Sequence, residues 1–302
     1  NNQTADDGGA IYNRTEESAT NHFIISRSTI TGNQAGDDGG GIYNIVKDSG
    51  NNTLIISDTT ISDNSAAQDG GGVNNVLDDT SSNNQVTIQN STISGNEATL
   101  SGGGISNQVK GIAHVTIENS TVSGNATKTS GGGLYNHVYD AGAQSIITLT
   151  HTTLVSNTAD SGGMNSGDGG GIYTKTSSGA TQVIARNSLV ALNLDSTPAI
   201  SGNIHPDGSG DITGASYNLI SDTTGISGTL GTGTDLVTNT LILEPLANNG
   251  GINTASGEPT YTHALPATSP AVDAIPTANC LVPEDQRVIN RPQGAACDFG
   301  AF

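Results

Sequence analysis

Tryptophan is absent from this chain, phenylalanine occurs three times, and nowhere do eighteen apolar residues run together. The last absence excludes a membrane-spanning helix. Stretches with apolar residues at i, i+3, i+4 and i+7 are also missing, which removes α and ordinary α/β folds. Basic residues are scarce, nine Lys and Arg against 28 Asp and Glu, for a net charge of -19. A sheath of that sign repels phosphate backbones and excludes nucleic acid as a partner. It suits solubility outside a cell, where divalent cations bridge acidic surfaces. The opening NNQTADDGG carries no basic and apolar signal segment and starts inside a repeat. The reading expects that the true start has been removed or that this is a piece of a longer chain.

What is there is glycine, 41 residues of it, with Asn, Ser, Thr and Asp interrupted by single Ile, Leu or Val. That is turn chemistry punctuating short β-strands. The hexamer GGGIYN at 39–44 recurs as GGAIYN, GGGLYN and GGGIYT at 8–13, 131–136 and 169–174. Aligned on the aliphatic residue after the glycines, Ile11, Ile42, Val73, Ile105, Leu134 and Ile172 are 31, 31, 32, 29 and 38 apart. A second register, STITGN, TTISDN, STISGN, STVSGN and TTLVSN, ends in Asn33, Asn64, Asn96, Asn125 and Asn157. A third, HFIIS, TLIIS, QVTIQ, HVTIE and SIITL, lies between them. Three short alternating strands per unit of about 30 residues predict an all-β, single-stranded parallel β-helix. Six recognisable coils would stack into a rod on the order of 30 Å long.

Stacking puts the six aliphatic residues above one another as an interior ladder, and the preceding glycines allow the φ > 0 corner and the close approach of neighbouring coils. The final Asn of the second register is expected to tolerate the left-handed conformation and to bond to its copies above and below. Coils are predicted over residues 1–245, with NSLVALN, GDITGA and TNTLILEP as degraded copies. After Pro245 the prolines cluster, so residues 246–302 should form an irregular cap of the same domain, wrapping the last coil and blocking polymerisation there. The first coil has no such cap in this sequence, which leaves end-to-end self-association open. Cys280 and Cys297 both lie in the closing segment. A disulfide between them would close a loop of about 16 residues, contribute on the order of 3 kcal/mol and agree with an oxidising location; reduced thiols or a metal pair are the alternatives.

The paired GG[AG]I and [IV]xxN motifs resemble the repeats of polymorphic outer-membrane proteins. The tail motifs SYNLISDTTG, PLANNGG, THALPATSPAVDA and DQRVINRPQGAACDFGAF resemble the end of bacterial right-handed β-helix proteins of the choice-of-anchor Q type. The resemblance implies a right-handed β-helix, secreted or displayed on a bacterial surface, in a family with interchangeable anchors.

Candidate chemistry is sparse. Asp7, Asp38 and Asp69 recur ahead of the glycines, so stacking brings like charges within about 5 Å unless water, turn amides or Ca²⁺ offset them. Turn capping is the plainer role and Ca²⁺ the one candidate cofactor. Acid pairs such as Asp37 and Asp38 obey the repeat, the bases share no register, and no HExxH spacing occurs, so no catalytic residue is assigned. In the second register Thr29, Thr31, Thr60, Ser62, Thr92, Ser94, Thr121 and Ser123 flank the inward Ile30, Ile61, Ile93 and Val122 and should face outward as one flat row. Solvated β-branched residues are the plain reading of that row, and an ice-binding face is a third function after the first two. The first is a non-enzymatic stalk, adhesin, matrix or filament component that binds polysaccharide or surface proteins. The second is a polysaccharide lyase, hydrolase or glycan-binding module, which would need unlike, non-repeating acids and bases in a groove.

Overall fold

The computed structural model describes residues 1–162, 167–195, 204–207 and 211–302, with backbone alone at 204–207 and 211. It is a parallel β-solenoid whose coils stack in register (Ile11 on Ile42 on Val73 on Ile105 on Leu134 on Ile172). The three expected strands per coil are joined by a fourth of two residues, so among the described residues the ladders hold seven, seven, seven and eight strands. Coil 2 illustrates the order: Ile42–Val46 in the aliphatic ladder, Asn51–Ser57 in the long ladder, Thr60–Ser62 in the threonine ladder and Ser65–Ala66 in the short one. The short strand escapes a periodicity search because two residues cannot show an alternation.

Inward side chains from the first three ladders meet in one continuous core, among them Ile42, Leu54, Ile56, Ile61, Val86, Ile88 and Ile93. Burying each such aliphatic contributes roughly 1.5–3 kcal/mol. The glycines set the coil spacing. At Gly39, φ is +66, and an added Cβ would lie 2.7 Å from the Ile42 carbonyl oxygen. At Gly40 it would lie 2.5 Å from the Gly71 oxygen of the next coil. Neither position tolerates a side chain. The ladder asparagines themselves are not left-handed. Positive φ falls one residue earlier, at Gly32, Asp63, Gly95, Gly124 and Ser156, so the corner is turned before the Asn, whose amide is then free to point inward.

Residues 189–191 and 211–216 form strands of the ladders, Gly210 lying outside the described residues. Residues 238–245 form no strand; Leu241 and Leu243 instead join a second core.

Residues 246–302 correct the expected end cap, because they lie along the flank of the threonine ladder. Leu246–Ala247 and Thr262–His263 pair antiparallel. The connecting segment reaches coil 1, where the Ala255 N–H donates to the Arg27 carbonyl at 2.5 Å. The chain then returns past coils 2, 3 and 4. Farther on, the Gly300 N–H donates to the Asn187 carbonyl at 2.9 Å and the Ala301 N–H to Thr153 Oγ1 at 2.9 Å. Val155, Leu189, Ala191 and Leu219, which point out of the coil, are fully buried against Ala271, Ile275, Cys297 and Phe299. The segment is therefore a strap. A disulfide joins Cys280 to Cys297 inside it, with 6.1 Å between Cα atoms.

Candidate functional site

The polar residues that the repeat singles out are engaged with one another. Asn96 is the pattern for its ladder: its Oδ1 accepts from the Asn64 N–H (3.1 Å) and Nδ2 (2.9 Å), while its own Nδ2 donates to the Ile61 carbonyl (3.0 Å) and to Asn125 Oδ1 (2.9 Å). Asn33, Asn64, Asn125 and Asn157 repeat the scheme, which runs on to Asn193. A second amide ladder had not been anticipated. Along the aliphatic ladder Asn13, Asn44, Asn75 and Asn107 each donate to the asparagine of the next coil, ending on Asn136 Oδ1, at 2.6–2.8 Å. Cross-links from Asn21, Asn52 and Asn84 tie it to the long ladder. Its signal was an Asn two residues after the core aliphatic in coils 1 to 5.

The expected outward threonine row is corrected in its exposure. The side chains do leave the coil, as alternation requires, but Thr60, Thr92, Ser94, Thr121 and Ser123 are buried beneath the strap. Thr92 Oγ1 accepts from the Tyr261 N–H at 2.8 Å and donates to the Tyr261 carbonyl at 2.7 Å. Thr121 donates to Gln286 Oε1 at 2.7 Å, and the Ser123 hydroxyl lies 2.8 Å from His263 Nε2. Thr29 bonds to Thr254 and Ser256, and only Thr31 and Ser62, which bond to each other, remain open. Such a row offers no continuous flat face to ice. Both arginines of the strap are engaged: Arg287 pairs with the buried Asp285 at 2.5 Å, and Arg291 donates to Asn119 Oδ1 at 2.7 Å and to the Gly300 carbonyl at 2.9 Å.

Asp7, Asp38 and Asp69 stack, and each carboxylate accepts the backbone N–H one coil on, from Asp38 (3.2 Å), Asp69 (2.9 Å) and Ser101 (2.8 Å). Asp69 Oδ2 also accepts from Gln108 Nε2 at 2.9 Å. Burial pushes all three pKa values up, Asp38 to about 6, with Asp69 and Asp7 adding repulsion there. Among the described residues no set of three or more His, Cys, Asp or Glu side chains is placed to hold a metal ion.

The shift at Asp38 has a definite sign. Its folded pKa lies above the unfolded one, so the folded state binds the proton first and Asp38 adds stability as pH falls from about 7 towards 4. Asp38→Asn keeps the oxygen that accepts the Asp69 N–H and removes the charge. We expect the variant to gain on the order of 1 kcal/mol at neutral pH, after allowance for solvent screening. The melting-temperature gap between variant and wild type should shrink by ~2 °C between about pH 7.5 and pH 5; parallel curves would contradict this.

Outward from the aliphatic ladder, Tyr43, Tyr135 and Tyr173 are buried against the coil surface. Tyr135 and Tyr173 stack with ring centres 5.5 Å apart, and Tyr12 and Tyr43 tilt together at 5.4 Å. The long ladder is different. Its outward residues face solvent, and a groove of 350 Å³ crosses the starts of its first four strands, lined by Thr20, Asn51, Thr53, Asn83, Gln85, Ile112 and His114.

Comparison with known proteins adds one match. The model of the Chlamydia polymorphic membrane protein repeat matches residues 27–45. This stretch spans the threonine strand, Asn33, Asp38, the glycines and the start of the next aliphatic strand, so it holds the corner residues that space one coil from the next. The match points to a bacterial β-helical protein of the cell surface or outer membrane. No helix among the described residues is long and apolar enough to cross a membrane. No curated protein and no solved structure matches the chain.

Proposed function

We propose that the chain is a non-enzymatic, secreted or surface-displayed bacterial scaffold, a stalk, adhesin or matrix component that presents its open faces to polysaccharide or to other surface proteins. The observation that carries the reading is the use made of the polar side chains. The Asn, Thr and Asp residues conforming to the repeat bond to their counterparts in the next coil or to the strap, which is what a rod needs and what a catalytic acid or base, required to meet substrate, does not do. Stacked ladders also suit growth into filaments.

Negative-stain imaging with Ca²⁺ and with chelator tests the scaffold. Rods or filaments of one uniform width are expected, and filaments that dissolve on chelation would assign the Asp7, Asp38 and Asp69 row to the cation. Globular particles with no common width would contradict the reading.

A further inference from the structure

We infer that the groove across the long ladder in coils 1 to 4 binds a neutral polysaccharide chain. The inference deepens the scaffold reading by naming the ligand and its site. The long ladder is the one wide face that is open among the described residues. The threonine ladder lies under the strap, and the outward row of the aliphatic ladder is closed by its own tyrosines.

The open face is chemically unlike the rest of the molecule. On a chain of net charge -19, its outward positions in coils 1 to 6 hold two charged side chains, Glu118 and Arg186, one of each sign. Both stand in the row farthest from the groove, since Glu118 ends Ile112–Glu118 and Arg186 ends Ala180–Arg186. The groove lies at the other end of the strands, over Asn51, Thr53, Asn83, Gln85, Ile112 and His114. Amides, hydroxyls and an imidazole both donate and accept, as sugar hydroxyls do. Asn83 Nδ2 already donates to Asn51 Oδ1 at 3.1 Å, leaving the Asn83 oxygen and the Asn51 nitrogen for a ligand. Ile112, 39% exposed, offers an apolar contact for the C–H face of a pyranose ring. An acidic polymer would meet the negative sheath, and a basic one would find no carboxylate in the groove. A neutral, hydroxyl-rich chain meets neither obstacle.

Connection lengths open one end of the groove. The link between the aliphatic and long strands runs over residues 47–50 in coil 2, 78–82 in coil 3 and 139–143 in coil 5, but over Lys110 and Gly111 alone in coil 4. Ile112 and His114 follow directly after that short link, and both are exposed. An extended polymer can therefore lie across several strands and leave over coil 4. The volume, 350 Å³, falls within the range of about 300–1,000 Å³ usual for ligand sites.

The test is native affinity electrophoresis of the whole chain through gels holding xylan, galactomannan or mixed-linkage β-glucan, with polygalacturonate as the acidic control. Reducing ends are assayed in the same mixtures. Retardation by at least one neutral polymer and none by polygalacturonate is expected. The variant carrying Asn83→Ala, Gln85→Ala and His114→Ala should weaken that binding about tenfold or more with an unchanged circular dichroism spectrum. Thr148→Ala, on the same face beyond the groove, should bind as the wild type. Retardation by none of the neutral polymers, or equal retardation of the triple variant, would overturn the site and leave the scaffold reading standing. Retardation with release of reducing ends would keep the site and overturn the non-enzymatic reading.

Discussion

A chain ending at Pro245 should not survive as a monodisperse rod. In the intact molecule Val155, Leu189, Ala191 and Leu219 are fully buried beneath the strap although they point out of the coil. Without residues 246–302 they form a contiguous apolar patch on neighbouring strands, the kind of surface that drives association. At roughly 1.5–3 kcal/mol per exposed Val or Leu, the loss over coils 5 to 7 is a large part of the 5–15 kcal/mol that holds a typical domain folded. Coils 1 to 4 should suffer less, because the threonine hydroxyls there exchange strap partners for water at small net cost. We therefore expect aggregation on size-exclusion chromatography and strong binding of an apolar dye. A soluble monomer with the melting temperature of the intact chain would show that the strap is not part of the fold's stability.

Asn96→Ala, like a change at any interior asparagine of the amide ladder, should be strongly damaging. It removes an acceptor from the Asn64 N–H and Nδ2 and a donor from the Ile61 carbonyl and Asn125 Oδ1, all in a fully buried setting. Each buried group left without a partner costs about 1–3 kcal/mol, so a loss of about 4 kcal/mol is expected. Asn33→Ala, in the first coil, removes the acceptor of the Asn2 N–H and the donor to the carbonyl of the exposed Thr31, while Asn64 Oδ1, which loses the Asn33 amide, keeps the backbone N–H of residue 33, so the cost should be about 1–2 kcal/mol. Urea denaturation of the two variants side by side measures the difference. Equal losses, or none at Asn96, would mean that the ladder is decoration on a core held by the aliphatic residues alone.

How much of this was legible in the sequence depended on whether the signal recurred. The aliphatic row from Ile11 to Ile172 and the asparagines from Asn33 to Asn157 recur at matched intervals, and their physics follows from stacking. The Asn13 to Asn136 ladder recurs too, but those residues adjoin variable loops and so read as turn punctuation. The strap could not be placed, because its prolines say only that it extends no ladder, and an irregular segment carries no period to follow. Its destination nonetheless left a trace. In the outward register of the threonine ladder Thr29, Thr60, Thr92, Thr121 and Thr153 give way to Leu189 and Leu219, and apolar residues at outward positions demand a cover. The groove was invisible for the opposite reason. Its two rows read Thr20, Asn51, Asn83, Ile112 and His22, Thr53, Gln85, His114, and a search for repetition passes over rows that change from coil to coil.

The central claim is that the strap seals the threonine ladder and leaves the long ladder open. Histidines stand on both faces, so modification by diethylpyrocarbonate, located by mass spectrometry, tests it directly. His22 and His114, exposed on the long ladder, should be modified early. His263, bonded to Ser123 and to the Glu244 carbonyl, and His151, fully buried and held neutral with its pKa pushed down to about 3 by burial and Arg291, should stay unmodified while the protein is folded. Modification of His263 and His151 at the rate of His114 in the folded protein would contradict the account.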